Sequence, residues 1–311
     1  MTGAAEAMGL LNIDKPKDWT SHDVVARVRR LTGVRQVGHT GTLDPMATGV
    51  MVVCLGAATR LAEYVTGLPK VYWAEITLGV ATDTYDATGR PTFEAPVPPL
   101  SADELAAALQ PFTGRILQRP PIYSALKQEG EALHKRARRG EAVEVQPRPV
   151  TVYEFAPLEF DGRVLTARIA CSAGTYVRSL AHDLGQALGC GGHLSALRRL
   201  AVGDFGAEEA ITLEQLAAAA AAGRWTSLVL PADRAVAHLP AVTLAPDQAR
   251  RLLFGQPVPA APASAADQAR AYDRQGRLLA VVRLDPTKGV WRPVKVLVQP
   301  DPHHADLPRA S

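Results

Sequence analysis

The chain has 311 residues, 47% hydrophobic and 21% charged, the make-up of a globular protein with room for one large domain and a small one. No apolar run approaches the length of a bilayer span, and "MTGAAEAMGLLNIDKPKD" lacks the basic, apolar, small-residue order of a secretory signal. Cys54, Cys171 and Cys190 lie far apart with no CxxC pair, which argues against a disulfide framework or zinc ribbon and makes a reducing cytoplasm the default expectation.

In chain order, "WTSHDVVARVRRLTG" predicts a helix. Thr20 can cap it, Asp23 suits its first turn, and Val24, Val28 and Leu31 share a stripe before Thr32-Gly33 stops it. "GHTGTLDPMATG" (38–49) reads as a loop, with Gly38, Gly41 and Gly49 free to take positive φ, followed by a buried strand at 50–55. Gly56 opens a short helix that closes near Gly67. "KVYWAEITLGV" then alternates, with Tyr72, Ala74, Ile76 and Leu78 on one face. "ATDTYDATGRPT" is turn-rich, and "SADELAAALQPFTG" is a helix ended by Pro111 and Gly114.

Between Gln118 and Pro149 stand seven Lys or Arg against four Glu, a surplus that equals the +3 net charge of the whole chain. A charge run is most often a solvated face, but "HKRARRG" (134–140) is dense enough to suit an anionic polymer equally well. "RVLTARIAC" predicts a strand leading through Ser172-Ala173-Gly174 into the helix "TYVRSLAHDLGQALG". "TLEQLAAAAAAG" is a helix with a Thr212/Gln215 capping box. From about residue 240 the style changes to short strands, "LLAVVRL" and "PVKVLV", around an Ala/Pro-rich loop, which predicts a small β domain.

Asp44 is the single acid of its loop, and Pro45 holds it in an extended backbone. On the loop alone, an Asx-turn competes with catalysis. Arg178 alters that balance. It falls in the first turn of its helix, where the macrodipole disfavours a cation, and the residues three and four further on are Ala181 and His182. Such an arginine either points into solvent or pairs with a distant anion, for which Asp44 is the candidate. Tyr72 either packs in the core or stacks on a substrate ring. His39 is either a loop hydrogen-bonder or a functional imidazole. The histidines show no metal-ligand spacing, and the chain has no Walker A, GxGxxG or GxSxG motif.

"LLNIDKPKDWTSHDVV", "VGHTGTLDPMATGVMVVCLGAATRL", "KVYWAEITLGVATDTYDATG" and "CSAGTYVRSLAHDLGQALGCGGHLSALRRLAVGDF" together resemble, in order and spacing, the signature blocks of bacterial tRNA pseudouridine synthase B. The resemblance runs from about Leu10 to Phe205, with a weaker C-terminal similarity to the PUA RNA-binding domain. It implies a mixed, largely antiparallel sheet flanked by helices (α/β, α+β) and a small C-terminal β-rich PUA-like domain. The corresponding division is a catalytic domain at 1–239 with an RNA-clamping thumb at about 118–149, a PUA-like domain at 240–300, and a polar tail at 301–311.

The activity it implies is isomerisation of the T-loop uridine of tRNA, position 55, to pseudouridine, with neither metal nor organic cofactor. Asp44 corresponds to the essential aspartate, Tyr72 to the stacking residue and proton acceptor, and Arg178 to the partner of the aspartate. His39, Tyr176 and Leu197 correspond to positions that contact the flipped nucleotide or reshaped T-loop. The implied partner is tRNA, met by a monomeric cytoplasmic enzyme with no obligate protein partner and no membrane. The alternatives are a tRNA-binding or folding factor using the same cleft, and a synthase acting on other RNAs.

Overall fold

The computed structural model describes residues 7–122, 127–128, 131–132, 139, 145–261 and 266–299. The chain begins with β1 (Gly9–Lys15), α1 (Ser21–Thr32), β2 (Val37–His39) and β3 (Thr48–Leu55). A 3₁₀ turn leads into α2 (Ala62–Thr66), then β4 (Lys70–Leu78), the hairpin of β5 (Val80–Thr82) and β6 (Pro91–Glu94), α3 (Ala102–Leu109) and β7 (Gly114–Gln118). The short pair β8 (Lys127–Gln128) and β9 (Glu131–Ala132) precedes β10 (Arg148–Phe160), β11 (Val164–Cys171), α4 (Val177–Ala187), β12 (Gly192–Val202), β13 (Phe205–Gly206) and α5 (Leu213–Ala221).

Nine strands form one sheet in the order β1-β3-β12-β4-β11-β10-β7, with β2 joined to β3 and β13 to β12. Every pairing is antiparallel except β3 with β12. The run Val50–Leu55 is apolar throughout because β3 is covered on both faces. Met51, Val53 and Leu55 join the core beneath α1 and α4, while Val50, Val52 and Cys54 join a second core with Leu61, Phe205 and Val281.

Thr20 caps α1 as expected: its Oγ1 accepts from the Asp23 N–H, and the Asp23 carboxylate accepts from the Thr20 N–H. Gly33, at φ 71°, ends the helix in the left-handed conformation. Val24, Val25 and Val28 are buried, whereas Leu31 is only half-buried.

Residues 241–296 form a second sheet of β14 (Ala241–Thr243), β15 (Val258–Pro259), β16 (Gln268–Tyr272), β17 (Leu278–Asp285) and β18 (Val290–Val296), with α6 (Pro246–Leu253) against it. Its order is β14-β16-β17-β18-β15. Leu252, Val258, Ala271 and Trp291 fill its own core, but Leu278, Val281 and Leu297 pack into the second core of the large sheet. A unit this small does not have to bury its apolar surface alone.

The structure departs from the sequence expectation in several places. β3 begins at Thr48, and β2 occupies what was expected to be the start of the loop. Of Gly38, Gly41 and Gly49, only Gly49 has positive φ, at 99°. Its hydrogen faces the crossing of β3 and β12, where an added Cβ would lie 2.2 Å from the Arg199 carbonyl oxygen. The long strands β10 and β12 were not foreseen. Each carries two bulges, and the shifts at Leu194/Ala196 and Arg199/Ala201 break the two-residue period of β12.

Candidate active site

The loop after β2 is fixed from several sides. Ser21, at the start of α1, donates to the Leu43 carbonyl at 3.2 Å and accepts from the Leu43 N–H at 3.0 Å. The Pro45 carbonyl accepts from the Asp18 N–H at 2.8 Å and the Lys15 ammonium at 3.1 Å. Lys15 has no exposed surface, and burial pushes its pKa down to about 8. The Asp44 carbonyl closes a turn with the Ala47 N–H. The Asp44 side chain does not make the Asx-turn that the loop alone allowed.

Arg178 takes the Asp44 carboxylate instead. Its Nε lies 2.9 Å from Asp44 Oδ2 and its Nη2 3.1 Å from Oδ1, a two-pronged contact that fixes the carboxylate plane. Arg178 Nη1 reaches Asp86 Oδ2 at 3.4 Å and donates to the Thr84 carbonyl at 3.3 Å. Asp86 is itself held by the hydroxyls of Thr84 and Thr88 and the Thr88 N–H, at 2.6–3.0 Å. The cation that the helix dipole disfavours is thus placed between two carboxylates. Only Asp44 faces outward: its side chain is 33% exposed, against 6% for Arg178 and 7% for Asp86. Burial raises the Asp44 pKa above the usual carboxylate value, and the Arg178 charge opposes that rise.

Asp44 and Arg178 line a cavity of about 330 Å³ together with Lys70, Tyr72, Tyr176, Leu197 and Arg199. This is at the small end of ligand-pocket sizes. Tyr72 on β4 and Leu197 on β12 are each 8% exposed. Lys70 opens β4, and its ammonium donates to the Leu68 carbonyl at 2.7 Å. Burial pushes the Lys70 pKa down to about 8. Tyr176 precedes α4, and its backbone is gripped on both sides by Gln118: the Tyr176 N–H donates to Oε1 at 2.8 Å and its carbonyl accepts from Nε2 at 3.0 Å. The end of β7 is therefore tied to the start of the helix that bears Arg178.

Five of the six expected site residues meet at this cavity. His39 does not line it. It sits on β2, packed edge-on against His22 at 5.7 Å, with Nδ1 accepting from the Gly41 N–H and burial lowering its pKa. Of the basic cluster, Lys135, Arg136 and Arg138 lie outside the described residues, and Arg139 is exposed. Sequence reading missed Asp86, Lys70 and Arg199. Asp86 had a signal in the Thr and Asp residues of "TDTYDATG", and Lys70 in sharing the buried face of Tyr72. Arg199 was hidden by the bulges of β12.

Among the described residues no cluster of His, Cys, Asp or Glu could hold a metal ion, and no helix is long and apolar enough to cross a membrane. Family models match the chain as the TruB family pseudouridylate synthase N-terminal domain at 29–177, the tRNA pseudouridylate synthase B C-terminal domain at 178–237, and pseudouridine synthase II TruB, C-terminal, at 240–287. The tRNA pseudouridine synthase B of Solibacter usitatus is 45% identical over 88% of this chain and 94% of its own length. That of Xanthomonas euvesicatoria is 48% identical over 80% of this chain and 81% of its own. A solved Cbf5-Nop10-Gar1 complex contains a chain of similar structure, with TM-score 0.74 and 30% identity over 94% of this chain and 86% of that one. By these matches the chain belongs to the TruB family of pseudouridylate synthases.

Proposed function

We propose that this protein converts the T-loop uridine of tRNA, position 55, to pseudouridine. The observation that carries the reading is the Asp44 carboxylate, held two-pronged by Arg178 at the wall of a cavity shared with the Tyr72 ring. A uridine within a folded tRNA loop has to leave its stack to reach such a cavity, and stacking on Tyr72 offsets part of that cost. Breaking the bond between N1 and C1′ leaves C1′ electron-deficient, and the fixed carboxylate meets that charge. The detached uracil turns and rejoins ribose through C5. Tyr72 then takes the C5 proton. No electrons are gained or lost overall, so the balance requires no redox cofactor.

His39 is proposed to act from beside the cavity on the reshaped loop, while Tyr176 and Leu197 touch the flipped nucleotide. The segment around 118–149 is proposed as a clamp on the RNA backbone, and residues 240–300 as a PUA-like unit that extends the tRNA contact. The enzyme is proposed to work in the cytoplasm as a monomer. It needs no guide RNA in this reading, although solved chains of similar structure occur in ribonucleoprotein complexes.

The test is to incubate the purified protein with an unmodified tRNA transcript and map pseudouridine. Product at the T-loop uridine is expected, and its absence refutes the reading. A folding factor without turnover would instead reshape tRNA and leave every uridine intact. For the clamp, neutralising Lys135, Arg136, Arg138 and Arg139 should flatten the salt dependence of tRNA binding by about 0.7–0.9 in log–log slope per lost phosphate contact. The choice of uridine should not change.

A further inference from the structure

Arg199 lies in the same cavity wall as Arg178 but is held in a different way. Its Nε donates to the Val50 carbonyl at 2.6 Å, and its Nη2 to the Gly41 carbonyl at 3.2 Å. It is 3% exposed. The adjacent Arg198 turns to the other face and takes Asp14 with both prongs. Among the described residues no carboxylate pairs with Arg199. A guanidinium keeps its proton even when buried, and carbonyl dipoles alone leave such a charge incompletely compensated. The β4–β12 register sets Arg199 directly opposite Tyr72, and both side chains line the cavity.

We infer that Arg199 is a positioning residue for proton removal from C5: pinned between Val50 and Gly41, it supplies the counter-charge beside which the Tyr72 oxygen carries negative charge. The inference rests on the proposal that Tyr72 accepts the C5 proton. A neutral phenol is a poor acceptor, so the site has to favour phenolate. Burial acts against this and raises the Tyr72 pKa above the ordinary phenol value, as does the Asp44 carboxylate from its loop; Cys171 from β11 adds to the rise only as a thiolate, and burial pushes its own pKa up to about 11. Arg199 is the group whose positive charge opposes this rise. Lys70, two residues along β4, has its own pKa lowered chiefly by burial and secondarily by Arg199.

The step balances. Once C5 is joined to C1′, the C5–H bond gives its proton to the Tyr72 oxygen, and its electron pair restores the C5–C6 double bond. N1, released from ribose, gains a proton. The phenol gives up the proton it took, so the uracil ring has exchanged one proton at C5 for one at N1. Because the same guanidinium holds Gly41, three residues before Asp44, the acceptor and the carboxylate are held by one framework.

The experiment compares wild type, Arg199→Gln, Arg199→Lys and Tyr72→Phe as full-length proteins on a tRNA transcript with deuterium at uridine C5. The measurements are single-turnover rate against pH, tRNA affinity and the isotope effect, with circular dichroism as the fold control. Arg199→Gln should keep affinity within a few-fold and lose about 100-fold in rate, the lower end for general acid–base catalysis. It should expose an isotope effect, and its rate should keep climbing with pH beyond the wild-type plateau. Arg199→Lys keeps the charge, so its pH profile should stay near wild type at a reduced rate. This variant decides the question if the Gln variant does not fold, and a shifted Lys profile overturns the inference. A wild-type profile for Arg199→Gln, or a loss confined to affinity as a phosphate contact would give, also overturns it. Full activity in Tyr72→Phe would instead remove the underlying reading of Tyr72. An inactive Phe variant beside an unshifted Gln variant would remove only the role of Arg199.

Discussion

The large and small sheets treat charge in opposite ways. Every buried polar or charged residue among the described ones lies before residue 200, including Lys15, Lys70, Asp86, Arg178 and Arg199. The core of the small sheet is wholly apolar, and its ion pairs, among them Arg277–Asp273, Arg283–Asp267 and Arg292–Asp285, leave the arginines about half-exposed. Buried charge is costly, and apolar residues of similar volume often serve stability as well or better. The large sheet bears that cost around one cavity, where the position of a charged group matters more than the stability lost. The small sheet has no such need and is built for packing.

The comparison breaks first at Asp44. Asp44→Asn keeps the shape and removes the charge, so product should vanish while tRNA affinity stays within a few-fold, as mapped pseudouridine and filter binding would show. Substantial turnover would falsify the catalytic assignment. Next are the two groups behind it. Arg178→Lys loses the fork, and Asp86→Asn loses one of the two carboxylates that hold Arg178. Each should lower the rate about 100-fold with little loss of affinity. Arg178→Gln also removes the charge that opposes the rise in the Asp44 pKa. The acid limb of its pH–rate profile should therefore move to higher pH, which stopped-flow rates across the acid range would measure.

The same contrast explains what was legible in the sequence. The small domain and the helices could be read because their signals are local: caps at Thr20 and Thr212, stop glycines, and an unbroken apolar run through β3. Asp44 and Arg178 were legible because each broke a local rule and lacked a local partner. Their pairing spans 134 residues, and nothing in either neighbourhood encodes the distance. Arg199 obeyed no visible period because two bulges surround it, and Asp86 resembled an ordinary turn acid until Arg178 arrived from α4. His39 was placed by resemblance alone, and the cavity wall does not include it.

Leu279 tests the other half of the comparison. It is fully buried in the core of the small sheet, so Leu279→Ala should cost about 2–4 kcal/mol in urea unfolding. At a temperature where the variant is folded, the single-turnover rate at saturating tRNA should be unchanged. A fall in that rate would mean that the small sheet helps to shape the cavity as well as to extend the tRNA contact.

The smallest effect is expected at Asp183, a half-buried acid on α4 at the margin of the charged region. Burial pushes its pKa up from 3.8 to about 6, with Arg119 opposing the shift. The native state therefore holds this proton more tightly than the unfolded chain does. Stability falls as pH rises through the window from 3.8 to about 6, and the penalty is complete above it. Two pH units correspond at most to about 3 kcal/mol, and solvent screening of a half-exposed carboxylate reduces this to about 1 kcal/mol. Asp183→Asn cannot titrate. It should match wild type near pH 4 and become more stable by about 1 kcal/mol at pH 7.5, with the gap opening between these limits. Urea unfolding at four pH values would trace that curve. A pH-independent gap would show that the carboxylate carries no burial penalty, and the cost of buried charge would then be confined to the cavity itself.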